Sequence, residues 1–481
     1  MTVQIDAPTT PMPTALATFV ETERRRADVA GTAVVAFDRD GVRFEAYFGY
    51  ADLATGERIT SDTLFRAASI SKLFTTSLVL QEVDAGTIGL DEPVNSYLDA
   101  RTQIRDENGR PTSAVTIRHL LTHTSGLPVS WKGLVYGNVV MKHMMNGIRF
   151  PDTLDDVVAG QRTVRAPGER LVYANGGFAL LGYLVARLNG KPFEDLVRER
   201  VLTPLAMSES TFAAEPSMSH LAVPYGKGLG SGGGRKPAPS VKNVTGPAGA
   251  LVTTGRELAR FGRMVLNDGE LDGHRVLPSG LLHDAMRFHA RNHPDLDDGW
   301  GLGLQMAEFR GRRRAGHDGG LAGVSTRITM LPDDGLGVVV LTNGGDAMFV
   351  SRVGERLLES LLGLEPELIP GSPVGIPQPS VEAWREHTRR VVGGYRMLDF
   401  VPPGPVSVLA GVMARPRISH VGDGVLAVDG TGYEPALLYP DGEPGHYRAA
   451  HPMLNGGVAI VEERPDGVHF WGSTLHFRKK N

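Results

Sequence analysis

The chain has 481 residues, of which 41% are hydrophobic and 22% are charged, and its net charge is −4 at pH 7. This length and composition predict a soluble globular protein of two domains, and the slightly acidic balance argues against a dedicated binder of nucleic acid or of anionic membranes. No cysteine is present, which excludes disulfides, thiolate catalysis and cysteine metal sites.

Residues 1–13 carry Asp6 and three prolines, without the basic segment and apolar core of a secretory signal. The chain also lacks an apolar stretch of about 18 residues that could cross a membrane. We therefore expect a cytoplasmic protein that has no membrane partner.

The first predicted elements are a helix and a hairpin. Residues 14–27 have the apolar spacing of an amphipathic helix. Residues 32–37 and 42–50 alternate between the two faces of a strand and are rich in β-branched and aromatic side chains. Asp38-Arg39-Asp40-Gly41 between them has the composition of a turn, so the segment predicts two antiparallel strands.

The elements that follow complete an α+β domain. Residues 73–83 are mostly apolar and precede Gly86, which predicts a buried helix. A second hairpin is predicted at 326–331 and 336–341, and a helix at 349–362. Strands at both ends of the segment, with helices between them, predict an antiparallel sheet with helices packed on both sides.

The C-terminal part has a different pattern. Residues 364–380 contain five prolines and little periodicity, as in a stiff linker, and a helix is predicted at 381–390. Short runs of β-forming residues divided by Gly, Pro and Asp predict a small antiparallel barrel, with strands at 406–409, 424–428, 436–439, 457–462 and 468–471.

These boundaries divide the chain into an N-terminal tail (1–12), a main domain (13–363), the proline-rich linker (364–380) and a β-rich domain (381–481). The β-rich domain has no motif that indicates chemistry of its own. It is either a scaffold or interface, or a lid that narrows a cleft of the main domain.

Ser69-Ile70-Ser71-Lys72 stands at the start of the apolar helical stretch. Residues three apart on a helix share a face, so Lys72 can lie beside Ser69. A serine hydroxyl needs such a neighbour, because it is a poor nucleophile near neutral pH without a base within hydrogen-bond reach. The pattern alone is common, but two further motifs follow it.

Residues 65–75 resemble the first motif of the class C β-lactamase and family VIII-type esterase branch of the penicillin-binding-protein-like serine hydrolases. Val172–Phe178 resembles the Tyr-x-Asn motif of that superfamily, and Gly316–Gly320 resembles the His-x-Gly version of its Lys-Thr-Gly strand. Residues 119–127 and 247–254 are also similar. The resemblance covers residues 30–345 and implies the superfamily's antiparallel sheet flanked by helices. Some of its hydrolases carry a lipocalin-like C-terminal domain, which the predicted barrel resembles.

The resemblance implies five catalytic residues. Ser69 would form a covalent acyl-enzyme, Lys72 would keep the serine poised, and Tyr173 would be a second proton carrier. A phenol acts as a base only if cations stabilise its anion, and Lys72 and His317 are the candidates. Asn175 would orient Lys72. The motifs leave open whether lysine or tyrosine takes the proton from serine, since the two groups would titrate as a coupled set.

The resemblance also implies an oxyanion hole and substrate contacts. The backbone N–H groups of Ser69 and Gly320 would bind the acyl oxygen. Asn175 would contact a substrate amide or carbonyl, and Gly319 would let the substrate lie against the strand. Asp318 is included among the substrate-binding residues.

The third motif departs from that of the β-lactamases proper, which have lysine and threonine there to bind a substrate carboxylate. Here the residues are His317 and Asp318. Histidine is mostly neutral at pH 7, and a carboxylate beside it would repel another, unless strand alternation directs Asp318 away from the cleft. We therefore expect an esterase or amidase rather than an efficient β-lactamase.

Other patterns carry less weight. His119 and His123 have a spacing that can bind zinc, but they lack the His-Glu-x-x-His glutamate. The glycine-rich run 228–233 lacks the preceding strand and following helix of a dinucleotide site. Ser125 has no lysine partner, and no G-x-S-x-G elbow occurs. We expect neither a metal nor a cofactor.

Three functions remain open. The first is a serine hydrolase that cleaves carboxylic esters or amides of small molecules. The second is a D-stereospecific peptidase or a peptide acyltransferase or cyclase. The third, a catalytically silent penicillin-binding or sensor protein, is disfavoured by the completeness of the five-residue set. The expected partner is a small ester, amide or peptide substrate, and a homo-oligomer is left open.

Overall fold

A computed structural model describes residues 10–128, 153–213, 216, 218–226, 235–238, 243, 245–366, 381–398, 416–422, 424–430, 435–449, 457–472 and 475–480. The predicted barrel strand at 406–409 and the glycine-rich run 228–233 lie outside these ranges. Of the predicted linker only 364–366 is described, so the domain boundaries stay a prediction.

The main domain is built on an antiparallel sheet of eight strands. Their order across the sheet is Asp298–Trp300, Gln305–Phe309, Arg312–Leu321, Val324–Leu331, Leu336–Thr342, Gly31–Asp38, Val42–Asp52 and Glu57–Arg58. The N-terminal hairpin joins the C-terminal strands in the middle of the sheet, where Thr32 lies opposite Thr342 and Val35 opposite Val339. The strand Arg312–Leu321 carries His317 and is called the motif strand below.

Side chains alternate between two cores on either side of this sheet. In the strand Gly31–Asp38, Val35 and Phe37 belong to the larger core, while Val34 and Ala36 belong to a second core on the opposite face. The apolar side chains of two helices, Thr14–Arg26 and Ala347–Leu362, cover the second face. The predicted antiparallel sheet with helices on both sides is confirmed.

The larger core is formed mainly by helices. The buried helix predicted at 73–83 runs over Ser71–Asp84 and is called the Lys72 helix below. It follows the short strand Phe65–Arg66 and a 3₁₀ turn at Ala68–Ile70. The remaining helical elements of the described part are Val94–Tyr97, Ile117–Leu121, Leu154–Val158, Asn175–Asn189, Phe193–Val197, Arg198–Leu202, Gly246–Gly249, Gly255–Leu266 and Ser279–Ala285. Three pairs of two-residue strands complete the domain: Phe65–Arg66 with Val252–Thr253, Tyr225–Gly226 with Lys236–Pro237, and Glu270–Leu271 with His274–Arg275.

The C-terminal part is a closed antiparallel barrel of eight strands preceded by the helix Val381–Val391. Its strands are Gly393–Met397, Arg417–Gly422, Val425–Asp429, Ala436–Pro440, His446–Arg448, Val458–Arg464, Gly467–Gly472 and Leu475–Lys479. Gly393–Met397 pairs with both the second and the last of these strands, which closes the barrel. Buried aromatic residues fill its interior: Trp384, Tyr395, Tyr447, Phe470 and Phe477. The predicted barrel is confirmed, while its lipocalin-like character stays a prediction.

None of the helices in the described ranges is both long enough and apolar enough to span a membrane. The cytoplasmic location stays a prediction.

Candidate active site

Ser69 lies on a tight turn between a strand and the Lys72 helix. The residue before it, Ala68, has a φ of +52°, a left-handed conformation that is uncommon for a residue with a side chain. The buried Ser71 fixes the turn, since its hydroxyl donates to the Ala68 carbonyl oxygen at 2.6 Å and accepts from the Leu251 N–H at 2.9 Å. This arrangement leaves Ser69 half-buried at the start of the helix.

Lys72 is fully buried, and its amine reaches Ser69. Lys72 Nζ lies 3.1 Å from Ser69 Oγ and donates to the Ala248 carbonyl oxygen at 2.7 Å. It also lies 4.9 Å from the centre of the Tyr173 ring. Burial lowers the pKa of Lys72 well below its ordinary value, because the charged ammonium loses hydration. An amine with such a pKa has the free lone pair that a base for the serine proton requires.

The Tyr173 phenol is held in its protonated form. Burial raises the pKa of Tyr173, and the charge of Asp318 raises it further, while a hydrogen bond with Ser69 lowers it by less. The sequence-based expectation that Lys72 and His317 would stabilise a phenolate stays a prediction. Burial lowers the pKa of both groups, which disfavours their cationic forms. Tyr173 has the protonation state of a proton donor.

His317 is a neutral imidazole with a defined tautomer. Burial and the nearby Lys72 lower the pKa of His317 to about 3. Its Nδ1 lies 2.6 Å from the Asp318 carbonyl oxygen, which can only accept, so Nδ1 carries the proton. Nε2 is then an acceptor, and it is buried without a hydrogen-bond partner in the described part of the chain.

Asp318 lies on the other face of the motif strand. Its carboxylate forms a two-pronged ion pair with Arg327 on the adjacent strand, with distances of 2.7 and 2.9 Å. Burial raises the pKa of Asp318, but Arg327 together with Arg314 and His317 brings it below its ordinary value, so the carboxylate is charged and paired. The structure therefore does not join the Asp318 side chain to the site. This arrangement does not support the predicted contact of Asp318 with a substrate. It also does not support the predicted repulsion of a substrate carboxylate.

Asn175 begins the helix Asn175–Asn189. Its predicted role in orienting Lys72 stays a prediction, and the Lys72 amine donates to the Ala248 carbonyl oxygen. The Asn175 side-chain oxygen, Oδ1, is buried and has no hydrogen-bond partner among the described residues. A buried carbonyl oxygen of this kind is free to accept an N–H from a bound molecule.

Gly319 brings the motif strand against the turn before Ser69. A Cβ atom at Gly319 would lie 2.2 Å from Thr326 Oγ1 and 2.3 Å from the Ala67 carbonyl oxygen. Thr326 Oγ1 donates to that same oxygen at 2.9 Å. Glycine is thus required here for packing within the protein, whereas the sequence-based argument invoked room for the substrate. Gly320, the next residue, is exposed and faces open space.

Sequence reasoning missed two aromatic residues that enclose the Tyr173 ring. The rings of His123 and Trp300 lie 4.4 and 5.6 Å from that of Tyr173. His123 accepts two amide hydrogens from the Tyr-x-Asn segment, Val172 N–H on its carbonyl oxygen at 2.7 Å and Ala174 N–H on Nδ1 at 3.1 Å. His123 thus fixes the backbone on either side of Tyr173, whereas the sequence analysis considered it only as a zinc ligand and set that role aside.

The family model described as Beta-lactamase matches residues 16–361 of the chain. The chain belongs to the beta-lactamase family. The family predicted from the three motifs is thereby confirmed, and with it membership of a family of serine hydrolases. The individual roles of the five motif residues stay predictions.

This beta-lactamase family member is also similar to two named relatives and to one solved structure. The chain is 32% identical over 364 residues to Penicillin-binding protein 4 of Amycolatopsis lactamdurans, covering 73% of this chain and 90% of the relative. It is 25% identical over 352 residues to the D-alanyl-D-alanine-carboxypeptidase/endopeptidase AmpH of Escherichia coli strain K12, covering 71% and 87%. An octameric penicillin-binding protein homologue from Pyrococcus abyssi is similar in structure, with a TM-score of 0.64 at 22% identity, covering 97% and 99%. The last comparison shows that the fold extends over both domains.

A cavity of ≈ 240 Å³ lies between the two domains, and none of the motif residues lines it. Its lining contains the side chains of His293, His387, His446, Arg390 and Glu462. We place the site at Ser69, because the hydrogen-bonded nucleophile and amine are there.

We predict that Gly319→Ala lowers the free energy of unfolding by about 1–3 kcal/mol, because the added methyl group collides with backbone at Ala67. Gly320→Ala is the matched control, since a methyl group there meets open space. It should change stability by no more than about 0.5 kcal/mol. Urea unfolding of both variants measures the difference. Equal stability of the two variants would show that the strand and the turn are not in close contact.

Proposed function

We propose that this protein is a serine hydrolase that cleaves carboxylic amides or esters through a covalent acyl-enzyme on Ser69. The observation that carries the proposal is the buried Lys72 amine, 3.1 Å from the Ser69 hydroxyl, with its pKa lowered by burial. Such an amine accepts a proton near neutral pH, as activation of a serine requires.

In the proposed reaction, Ser69 Oγ attacks the acyl carbon and its proton passes to Lys72 Nζ. The N–H groups of Ser69 and Gly320 bind the oxyanion. The Tyr173 phenol then protonates the leaving nitrogen or oxygen as its bond to the acyl carbon breaks, and the proton held by Lys72 restores the phenol. In the second half, water attacks the acyl-enzyme and gives a proton to Lys72. The bond between the acyl carbon and Ser69 Oγ then breaks, Lys72 returns the proton to Ser69 Oγ, and the acid is released.

Amide and peptide substrates are favoured over esters by Asn175. Its buried Oδ1 lacks a partner, and an unsatisfied buried acceptor disfavours a ligand that has no donor to offer it. A peptide-like substrate has such an N–H. The similarity to a penicillin-binding protein and to a D-alanyl-D-alanine-carboxypeptidase/endopeptidase supports this second candidate, a peptidase acting on D-amino acid derivatives.

Efficient β-lactamase activity is not expected, although for a different reason than the sequence suggested. Asp318 is paired with Arg327 and does not repel a substrate carboxylate. However, the residue at the position of the β-lactamase lysine is His317, whose pKa is lowered to about 3, so it supplies no cation there to hold that carboxylate.

The test is a comparison of kcat/KM on three chromogenic substrates, a p-nitrophenyl butyrate ester, a D-alanine p-nitroanilide and a cephalosporin. Intact-mass and peptide analysis of the quenched reaction locates the acyl group. We expect an adduct on Ser69, with the ester and the anilide cleaved faster than the cephalosporin. An adduct on any other residue would contradict the proposal, and faster cephalosporin cleavage would contradict the substrate preference. Addition of an amine acceptor distinguishes hydrolysis from acyl transfer, since a transferase gives the amide product.

A further inference from the structure

The C-terminal barrel contacts the segment that leads into Tyr173. The Arg170 guanidinium donates through Nη1 to His476 Nδ1 at 2.7 Å and through Nη2 to the Leu398 carbonyl oxygen at 3.1 Å. Leu171 and Val172 follow and are almost completely buried. Only this short buried segment separates the contact with the barrel from the Tyr173 side chain.

The contact continues into the barrel as a chain of hydrogen bonds. His476 Nε2 lies 2.7 Å from His469 Nδ1, and His469 Nε2 lies 2.9 Å from the carboxylate of Asp466 at the surface. A guanidinium only donates and a carboxylate only accepts, so the two ends fix both tautomers. His476 accepts from Arg170 and donates to His469, and His469 donates to Asp466. Every bond in this relay, defined as Arg170, His476, His469 and Asp466, runs in the same direction.

The relay is consistent with the charges around it. Burial and the Arg170 charge lower the pKa of His476 to about 3, so its imidazole is neutral at pH 7 and can accept from the guanidinium. The surface carboxylate also accepts from Arg478 at 2.8 Å. The two histidines therefore connect the positive charge of Arg170 to the negative charge of Asp466 through a continuous chain of hydrogen bonds.

A second contact joins the barrel to the segment before Trp300. Leu296 forms an apolar cluster with Val458, Ile460 and Trp471 of the barrel. These two contacts are close in sequence to aromatic residues of the candidate site, one to Tyr173 and the other to Trp300.

We propose that the relay makes the C-terminal barrel a positioning element for Tyr173. The inference rests on the proposed function for its catalytic consequence. Arg170 holds the start of the segment whose amides at Val172 and Ala174 are bonded to His123, and the barrel holds Arg170. Arg170 is a positioning residue, because in this proposal it acts on Tyr173 through the segment at Leu171 and Val172 and not by contact with the substrate.

The experiment compares Arg170→Gln, Asp466→Ala and the control His446→Gln in the full-length protein. His446 pairs with Asp295 across the same domain boundary at 3.3 Å, but it is outside the relay, and 38% of its side chain is exposed. Asp466 is also at the surface, so its removal breaks the relay at the far end without disturbing buried packing. If Arg170→Gln fails to fold, Asp466→Ala carries the test alone.

The first readout is hydrogen–deuterium exchange of the peptide covering 171–175. We expect roughly tenfold faster exchange in Arg170→Gln, which loses hydrogen bonds to the barrel, roughly threefold in Asp466→Ala, and no change in His446→Gln. The second is the rate of Ser69 acylation by p-nitrophenyl butyrate, which should fall by similar factors through kcat, with KM within about twofold.

Unchanged exchange in both relay variants would overturn the proposal, as would an equal effect of His446→Gln. A wild-type protein that is not acylated by the ester would count against the proposed function instead, and the exchange result would still decide the positioning role.

Discussion

A Ser69→Ala variant should lose roughly 10⁴–10⁶-fold in kcat on any substrate that the wild-type protein cleaves, because the covalent step has no other nucleophile. The variant should fold normally. Ser69 is half-buried, and the contacts it gives up are those to Tyr173 and to Lys72 Nζ, which keeps its bond to the Ala248 carbonyl. Steady-state kinetics with a thermal unfolding scan on the same sample measures both effects.

The matched control is Ser125→Ala. Ser125 is buried and follows the His123 segment, but its hydroxyl is at the long distance of 3.4 Å from the Leu127 N–H. It has no lysine beside it in sequence, and its removal should leave kcat within about twofold. Turnover that survives Ser69→Ala would place the reacting group elsewhere.

A Lys72→Met variant should lose about 10²–10⁴-fold in kcat/KM, the contribution typical of a positioned general base. Methionine retains the length and apolar stem of lysine, and the side chain is in any case completely buried, so the fold should tolerate it. Lys191→Met is the control, since that lysine is exposed and pairs with Glu199.

The pH profile gives the same role a second test. The Lys72 amine accepts a proton only when it is neutral, so kcat/KM of the wild-type protein should rise with pH through the pKa of Lys72. Because burial lowers that pKa, the midpoint should lie well below 10.5. The rise should be absent in Lys72→Met. A rise that persists in this variant, or a midpoint near 10.5, would assign the base to another group.

The parts of the fold that could be predicted are those with long, regular patterns. Alternation over 32–37 and 42–50 identified two strands that the structure extends to Gly31–Asp38 and Val42–Asp52. The strand Asp298–Trp300 was not predicted, because three residues are too few to show a period. In the barrel, the strand His446–Arg448 was not predicted for the same reason. These strands are defined by their partners and not by their own composition.

The candidate site divides in the same way. Ser69 and Lys72 are close together because helical spacing alone places them there, and that spacing is visible in the sequence. The face occupied by Asp318 is set by its pairing with Arg327 on the next strand. Trp300 approaches Tyr173 from a segment distant in sequence, and nothing local marks it. The Ala248 carbonyl reaches Lys72 from residues 247–254, which resemble the superfamily, but the resemblance does not indicate this contact. The residues that sequence reasoning missed are placed in the site by tertiary contacts.

The close contact of Gly319 with the Ala67 carbonyl has a consequence for the cost of binding. The two N–H groups expected to hold the acyl oxygen belong to different segments. Those segments are in close contact, and Thr326 Oγ1 donates a hydrogen bond to the Ala67 carbonyl oxygen between them. Little of the substrate's binding free energy is therefore needed to bring the two N–H groups together. More of that free energy is available to stabilise the transition state relative to the ground state. In such an enzyme the recognition of the acyl group is rigid, and tolerance for varied substrates has to come from whatever surrounds the leaving group.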